Sequence, residues 1–195
     1  MDIIYVCRGK VFHGEEGYPR VVKCASAFAD MIGISRPSVI KTHSKGKPYF
    51  SDSTIEFSIS HSDVLWVCVY SEAPCGLDVQ LKKEINYRRI GERIFSDREM
   101  RYLEMAGGGG VGSLKDAFYR LWTRTEAFAK CTGDGIFGER PELADEDGRL
   151  LDIVEWKGNK YYFSDVDIDE GFNCALCQKG SRREFEISFE IREDL

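Results

Sequence analysis

The stretch SLKDAFYRLWTRTEAFAKC, residues 113–131, carries the longest helical pattern in the chain. Leu114, Ala117, Phe118, Leu121, Thr125 and Phe128 recur at helical spacing and form one apolar face. The segment TGDG, residues 132–135, ends the helix. Trp122, Glu126 and Lys130 are spaced four and four, so they form a stripe beside that face. Working outward, the chain repeats one plan, strand then helix then strands, twice over. That plan predicts an α+β protein of two similar halves with a cleft between them. The halves divide as 1–80 and 81–195 and act as one functional unit.

The first half opens with a β-branched strand at Ile3 to Val6, followed by a helix from about Tyr18 to Ile32. Residues 41–54 are polar, contain Gly46-Lys47-Pro48, and read as a loop. Ile55, Phe57 and Ile59 alternate with polar neighbours and mark a strand, with His61 directly after it. Leu65 to Tyr70 is a near-continuous apolar strand, and Gly76 to Gln80 is another. In the second half Asn86 to Phe95 is helical. Ser96 and Glu99 form a capping box for the next helix. The glycine run at 107–110 follows no strand and precedes no Gly-Lys-Ser/Thr, so it reads as a linker rather than a phosphate loop. Strands are expected at Arg149 to Trp156, Lys160 to Asp165, Phe172 to Gln178 and Glu184 to Ile191, completing the second half's sheet.

The 195 residues are 43% hydrophobic and 31% charged, with a net charge of −6. This is a globular composition without the basic excess that nucleic-acid binding requires. No apolar run reaches the length of a membrane span, and the opening MDIIYVCRGK has no signal-peptide pattern. A cytoplasmic protein with no membrane or nucleic-acid partner is expected. The seven cysteines are odd in number and irregularly spaced, which argues against a disulfide framework. Cys174-x-x-Cys177 has no second ligand pair and reads as two residues of a strand.

Asp78 and Gln80 are two apart on a predicted strand, so they leave the same face. If that strand packs on the long helix, Asp78 and Glu126 converge on one cation. Mg²⁺ suits such a site, because it takes few carboxylate oxygens and keeps waters and phosphate oxygens. His61, between Ser60 and Ser62, makes a hydroxyl–imidazole–hydroxyl cluster suited to phosphate.

In order along the chain stand Gly46-Lys47-Pro48, the FSISHS of residues 57–62, the GLDVQ of 76–80, the FSDRE of 95–99, the FYRLWTRTEAFAK of 118–130 and the TGDGI of 132–136. This ordered set resembles the surfactin-synthetase-activating family of phosphopantetheinyl transferases. That family's pattern runs GKP, F-[NS]-[IV]-S-H-S, G-[IV]-D-[IV]-E, F-[FS]-x-x-E, W-x-x-K-E-[AS]-x-x-K and G-x-G-[IL]. The resemblance covers Gly46 to about Ile136. It implies two α+β halves related by a pseudo-twofold, with coenzyme A in the cleft. It implies transfer of 4′-phosphopantetheine from coenzyme A to a serine of an apo acyl or peptidyl carrier protein, with Mg²⁺. Asp78 and Glu126 would be metal ligands, with Gln80 beside them, and Glu126 the general base. Lys130 would contact phosphate or the pantetheine end. Ser60, His61 and Lys47 would bind phosphate. Near its N-terminus the family supplies a further basic residue ahead of a helix. Arg20 is the first choice for it and Lys23 the second. Two similar halves in one chain imply a monomer.

The chain departs from the pattern twice. Gln80 stands where the family has a second acid, and Thr125 where it has the lysine before the glutamate. These departures motivate an alternative, a catalytically impaired homologue that binds coenzyme A or carrier protein. A second alternative is a small α+β interaction protein with a buried polar cluster and no ligand.

Overall fold

The computed structural model describes residues 1–9, 14–108 and 113–190. The α+β class holds. One four-stranded sheet has the order β10-β1-β5-β4, formed by β1 (Asp2–Arg8), β4 (Glu56–Ser62), β5 (Leu65–Ser71) and β10 (Phe185–Glu190). The other has the order β6-β9-β8-β7, formed by β6 (Cys75–Leu81), β7 (Ile153–Trp156), β8 (Asn159–Asp165) and β9 (Phe172–Lys179). Each sheet therefore takes a strand from the far side of residue 80. Against expectation, β10 does not join the second sheet. It runs parallel to β1, with Ile187 opposite Ile4. A parallel partner so distant in sequence leaves no local turn signal to read.

Among the described residues there are four α-helices: α1 (Tyr18–Ile32), α2 (Tyr87–Ile94), α3 (Asp97–Gly107) and α4 (Leu114–Thr132), with α2 and α3 packed on α4. Pro19 in the first turn of α1 and left-handed Gly33 after it mark its two ends. The capping box of α3 is present, with the Glu99 carboxylate accepting from Ser96 N at 2.9 Å. Helix α3 ends inside the glycine run. Gly109 and Gly110, like Ile191 of the last expected strand, lie outside the described residues. The segment expected as a loop holds a hairpin, β2 (Ile40–Thr42) with β3 (Pro48–Phe50), and His61 lies within β4 rather than after it. The hairpin's strands are three residues each, too short to show an alternating pattern.

The core has three parts. Phe28 and Val21 of α1 pack on Phe57, Trp66 and Tyr70 of the first sheet. Phe118, Leu121 and Phe128 of α4 pack on Phe163, Ala175 and Cys177 of the second. Between the sheets, Ile4, Val67 and Val69 meet Leu77, Val79 and Leu176. Burying each such aliphatic side chain contributes about 1.5–3 kcal/mol. All seven cysteines are buried and free, and Cys174 and Cys177 belong to different core clusters on either side of β9. Among the described residues, no helix is long and apolar enough to cross a membrane.

Candidate functional site

The strand β6 shows its even residues, Gly76, Asp78 and Gln80, to α4, while Leu77 and Val79 enter the inter-sheet core. Gly76 decides how close the helix comes. A Cβ there would lie 2.0 Å from the Ala127 carbonyl oxygen and 2.4 Å from the Cys131 nitrogen, so only glycine lets α4 rest on the strand. That contact brings Asp78 under Glu126 and Lys130. Gly133, left-handed at φ 77°, then turns the chain away from the helix.

Asp78 is 1% exposed. Its Oδ1 accepts from Lys130 Nζ at 2.7 Å and from Ser60 Oγ at 2.8 Å, and its Oδ2 accepts from Gln80 Nε2 at 3.2 Å. Burial, then the negative charge of Asp78, raises the Glu126 carboxyl from its usual range to about 7, with Lys130 opposing. Two carboxylates thus share one ammonium in a poorly solvated place. Among the described residues no group of three or more His, Cys, Asp or Glu side chains gathers as a metal site. Two carboxylates and an amide nonetheless fit a Mg²⁺ ion that takes its remaining oxygens from water and phosphate. The Lys130 ammonium lying on Asp78 shows that a positive charge is at home there.

Glu126 and Lys130 line a cavity of about 420 Å³, which Lys47, His61, Trp66 and Tyr18 also line. His61 is exposed at its edge. Lys47 reaches the Cys131 carbonyl at 3.1 Å and lies 3.8 Å from Glu56, so it is tethered at the wall. Arg20 does not line the cavity. Its guanidinium sits over the Trp66 ring, 5.7 Å from the centroid, one layer behind the wall, and Lys23 is exposed on the same helix. Ser60 does not line it either. Its proton goes to Asp78. Thr125 is buried, with its hydroxyl on the Leu121 carbonyl, on the core side of α4. Sequence reasoning passed over Lys45, which lines the cavity and pairs with Asp134, although it flanks the same glycine as Lys47. Tyr18 and Trp66 were read only as helix and strand formers.

A family model described as the 4′-phosphopantetheinyl transferase superfamily matches residues 74–188. The chain belongs to that superfamily. The matched span holds Asp78, Gln80, Glu126 and Lys130. Among curated relatives, the 4′-phosphopantetheinyl transferase gsp of Aneurinibacillus migulanus is 30% identical over 135 residues, 68% of this chain and 54% of that protein. The transferase Sfp of Bacillus subtilis is 28% identical over 140 residues, 70% of this chain and 61% of that protein. The transferase HetI of a Nostoc strain is 34% identical over 104 residues, 48% and 40% of the two chains. The chain spans between half and two thirds of the length of gsp and Sfp.

Proposed function

We propose that the chain transfers 4′-phosphopantetheine from coenzyme A to a serine of an apo acyl or peptidyl carrier protein, releasing 3′,5′-ADP, as a cytoplasmic monomer. The observation that carries this reading is that Glu126 and Lys130 line one cavity with Lys47 and His61, while the buried Asp78, which does not line it, accepts from Lys130 Nζ at 2.7 Å. Coenzyme A occupies the cavity between two similar halves, 1–80 and 81–195. These work as one unit, since each sheet borrows a strand from the other half.

Phosphoryl transfer needs positioning and charge stabilisation more than covalent help. Asp78 and Glu126, with Gln80 beside them, would hold Mg²⁺, which neutralises pyrophosphate charge when bound. Lys130 offers its ammonium to phosphate or to the pantetheine end. His61 and Lys47 hold the 3′-phosphate side. The serine oxygen bonds to the β-phosphorus of coenzyme A, the bond to 3′,5′-ADP breaks, and the serine proton passes to Glu126.

The test is the intact mass of an apo carrier protein incubated with this chain, coenzyme A and Mg²⁺. A gain of one phosphopantetheine, lost with EDTA, is expected. No gain across several carrier types, with coenzyme A still raising the melting temperature, moves the reading to an impaired binder. Gln80 and Thr125 favour that second reading, because neither supplies the charge of the family pattern. Gln80→Glu is its cleaner test. A lysine at the buried position 125 would have to bury its charge.

A further inference from the structure

The strands β4 and β6 are edge strands of different sheets, yet they lie side by side. An edge strand in the interior leaves a row of backbone N–H groups that need acceptors. Here the acceptors are serine hydroxyls. Leu77 N donates to Ser58 Oγ at 3.0 Å, Val79 N to Ser60 Oγ at 3.2 Å, and Leu81 N to Ser62 Oγ at 2.9 Å. The alternating serines of FSISHS thus match the alternating free donors of β6 residue for residue, and form a seam where the two sheets meet. A hydroxyl has one proton in addition to its lone pairs. In Ser60 that proton goes to Asp78 Oδ1 at 2.8 Å, with the side chain 6% exposed. Ser60 therefore joins the seam to the carboxylate that also receives Lys130 and Gln80.

We infer that Ser60 is a positioning residue. It fixes the Asp78 carboxylate against the β4–β6 seam, so that the orientation of the cation-binding oxygens is set by the joint between the sheets. Phosphate is left to His61 and the lysines. The catalytic arm of this inference rests on the transferase reading; the seam itself does not.

The internal control is Ser58, which accepts from the neighbouring β6 donor and has no hydrogen bond to Asp78 in the structure. Ser60→Ala and Ser58→Ala are made in the wild-type and Asp78→Ala backgrounds, and thermal midpoints are compared in EDTA. Ser60→Ala is expected to lower the midpoint by about 2–4 °C more in the wild type than in Asp78→Ala, because only there does it lose a second hydrogen bond. Ser58→Ala should cost the same in both. In the transfer assay, Ser60→Ala should raise the Mg²⁺ concentration for half-maximal turnover by about tenfold; Ser58, which lines the cavity, serves as the control for the thermal comparison alone. If Ser60→Ala does not fold, Ser60→Cys, close in size and weak in both hydrogen bonds, replaces it in the same comparison. Equal thermal losses in both backgrounds, or an active wild type whose Mg²⁺ requirement Ser60→Ala does not move, would overturn the positioning role. A wild type that transfers nothing overturns the transferase reading instead, and the thermal comparison still decides whether Ser60 holds Asp78.

Discussion

Two buried carboxylates face opposite treatment in this molecule. Glu99, with no solvent exposure, accepts from Arg140 Nη1 at 2.5 Å and Leu143 N at 2.9 Å on one oxygen. Its other oxygen accepts from Arg140 Nη2 at 2.6 Å and Ser96 N at 2.9 Å. Its charge is matched one for one and both oxygens are filled. Asp78 is as deeply buried but shares Lys130 with a second carboxylate, Glu126, leaving the pair one negative charge in excess. A closed pair fastens α3 to the segment around Arg140. An open one holds a deficit that a cation can fill. The contrast separates a structural carboxylate from a functional one better than burial does.

Truncating one side of the open pair should have the largest effect on activity. Asp78→Ala is expected to lower Mg²⁺-dependent turnover by about a thousandfold or more, about 4 kcal/mol of transition-state stabilisation, while leaving the protein folded. Turnover is read by carrier-protein mass gain, and folding by circular dichroism. Unchanged turnover would break the comparison by showing that the excess charge has no role.

The closed pair should respond the other way. Arg140→Ala leaves Glu99 buried without its cation, which costs about 3–5 kcal/mol of stability. The urea midpoint should fall accordingly. At a temperature where the variant is folded, its turnover should match the wild type. A loss of turnover in the folded variant would show that the two regions are not independent.

The sequence exposes these two regions unequally. The capping box made Glu99 legible as the third residue of α3, because Ser96 and Glu99 are three apart. Its partner Arg140 is 41 residues further on, and no local period points to it. The open pair was legible because Asp78 and Gln80 share a strand face, and Glu126 and Lys130 a helix face. What the pattern did not show is Gly76, the contact that presses those faces together, since a glycine in a strand says only that some backbone approaches. It read Ser60 and Ser62 beside His61 as suited to phosphate and gave no sign that Ser60 donates to Asp78, or that both hydroxyls accept from β6 N–H groups whose edge position depends on the sheet order. The exchange of β6 and β10 between sheets escaped for the same reason. Strand partners about 90 or more residues apart are set by core packing.

The last prediction measures the excess charge itself. In the folded, metal-free protein Glu126 titrates near 7, above its ordinary value of 4.5, so folding favours its protonated form. By linkage, the stability this gives is fully present below about 4.5. It is lost as pH rises through about 7, where the folded state must carry the second negative charge beside Asp78. Glu126→Gln is neutral at every pH and escapes that loss. Urea midpoints in EDTA should therefore coincide for wild type and Glu126→Gln near pH 4 and diverge through pH 7, with the variant the more stable at pH 8. Lysine and histidine titrations are common to both proteins and cancel in the difference. Adding Mg²⁺ should narrow the gap at pH 8 if the cation fills the deficit, because it stabilises only the protein that carries both charges. Parallel profiles without metal would mean that neither burial nor the charge of Asp78 raises Glu126, and the open pair would then be no different in kind from Glu99 and Arg140.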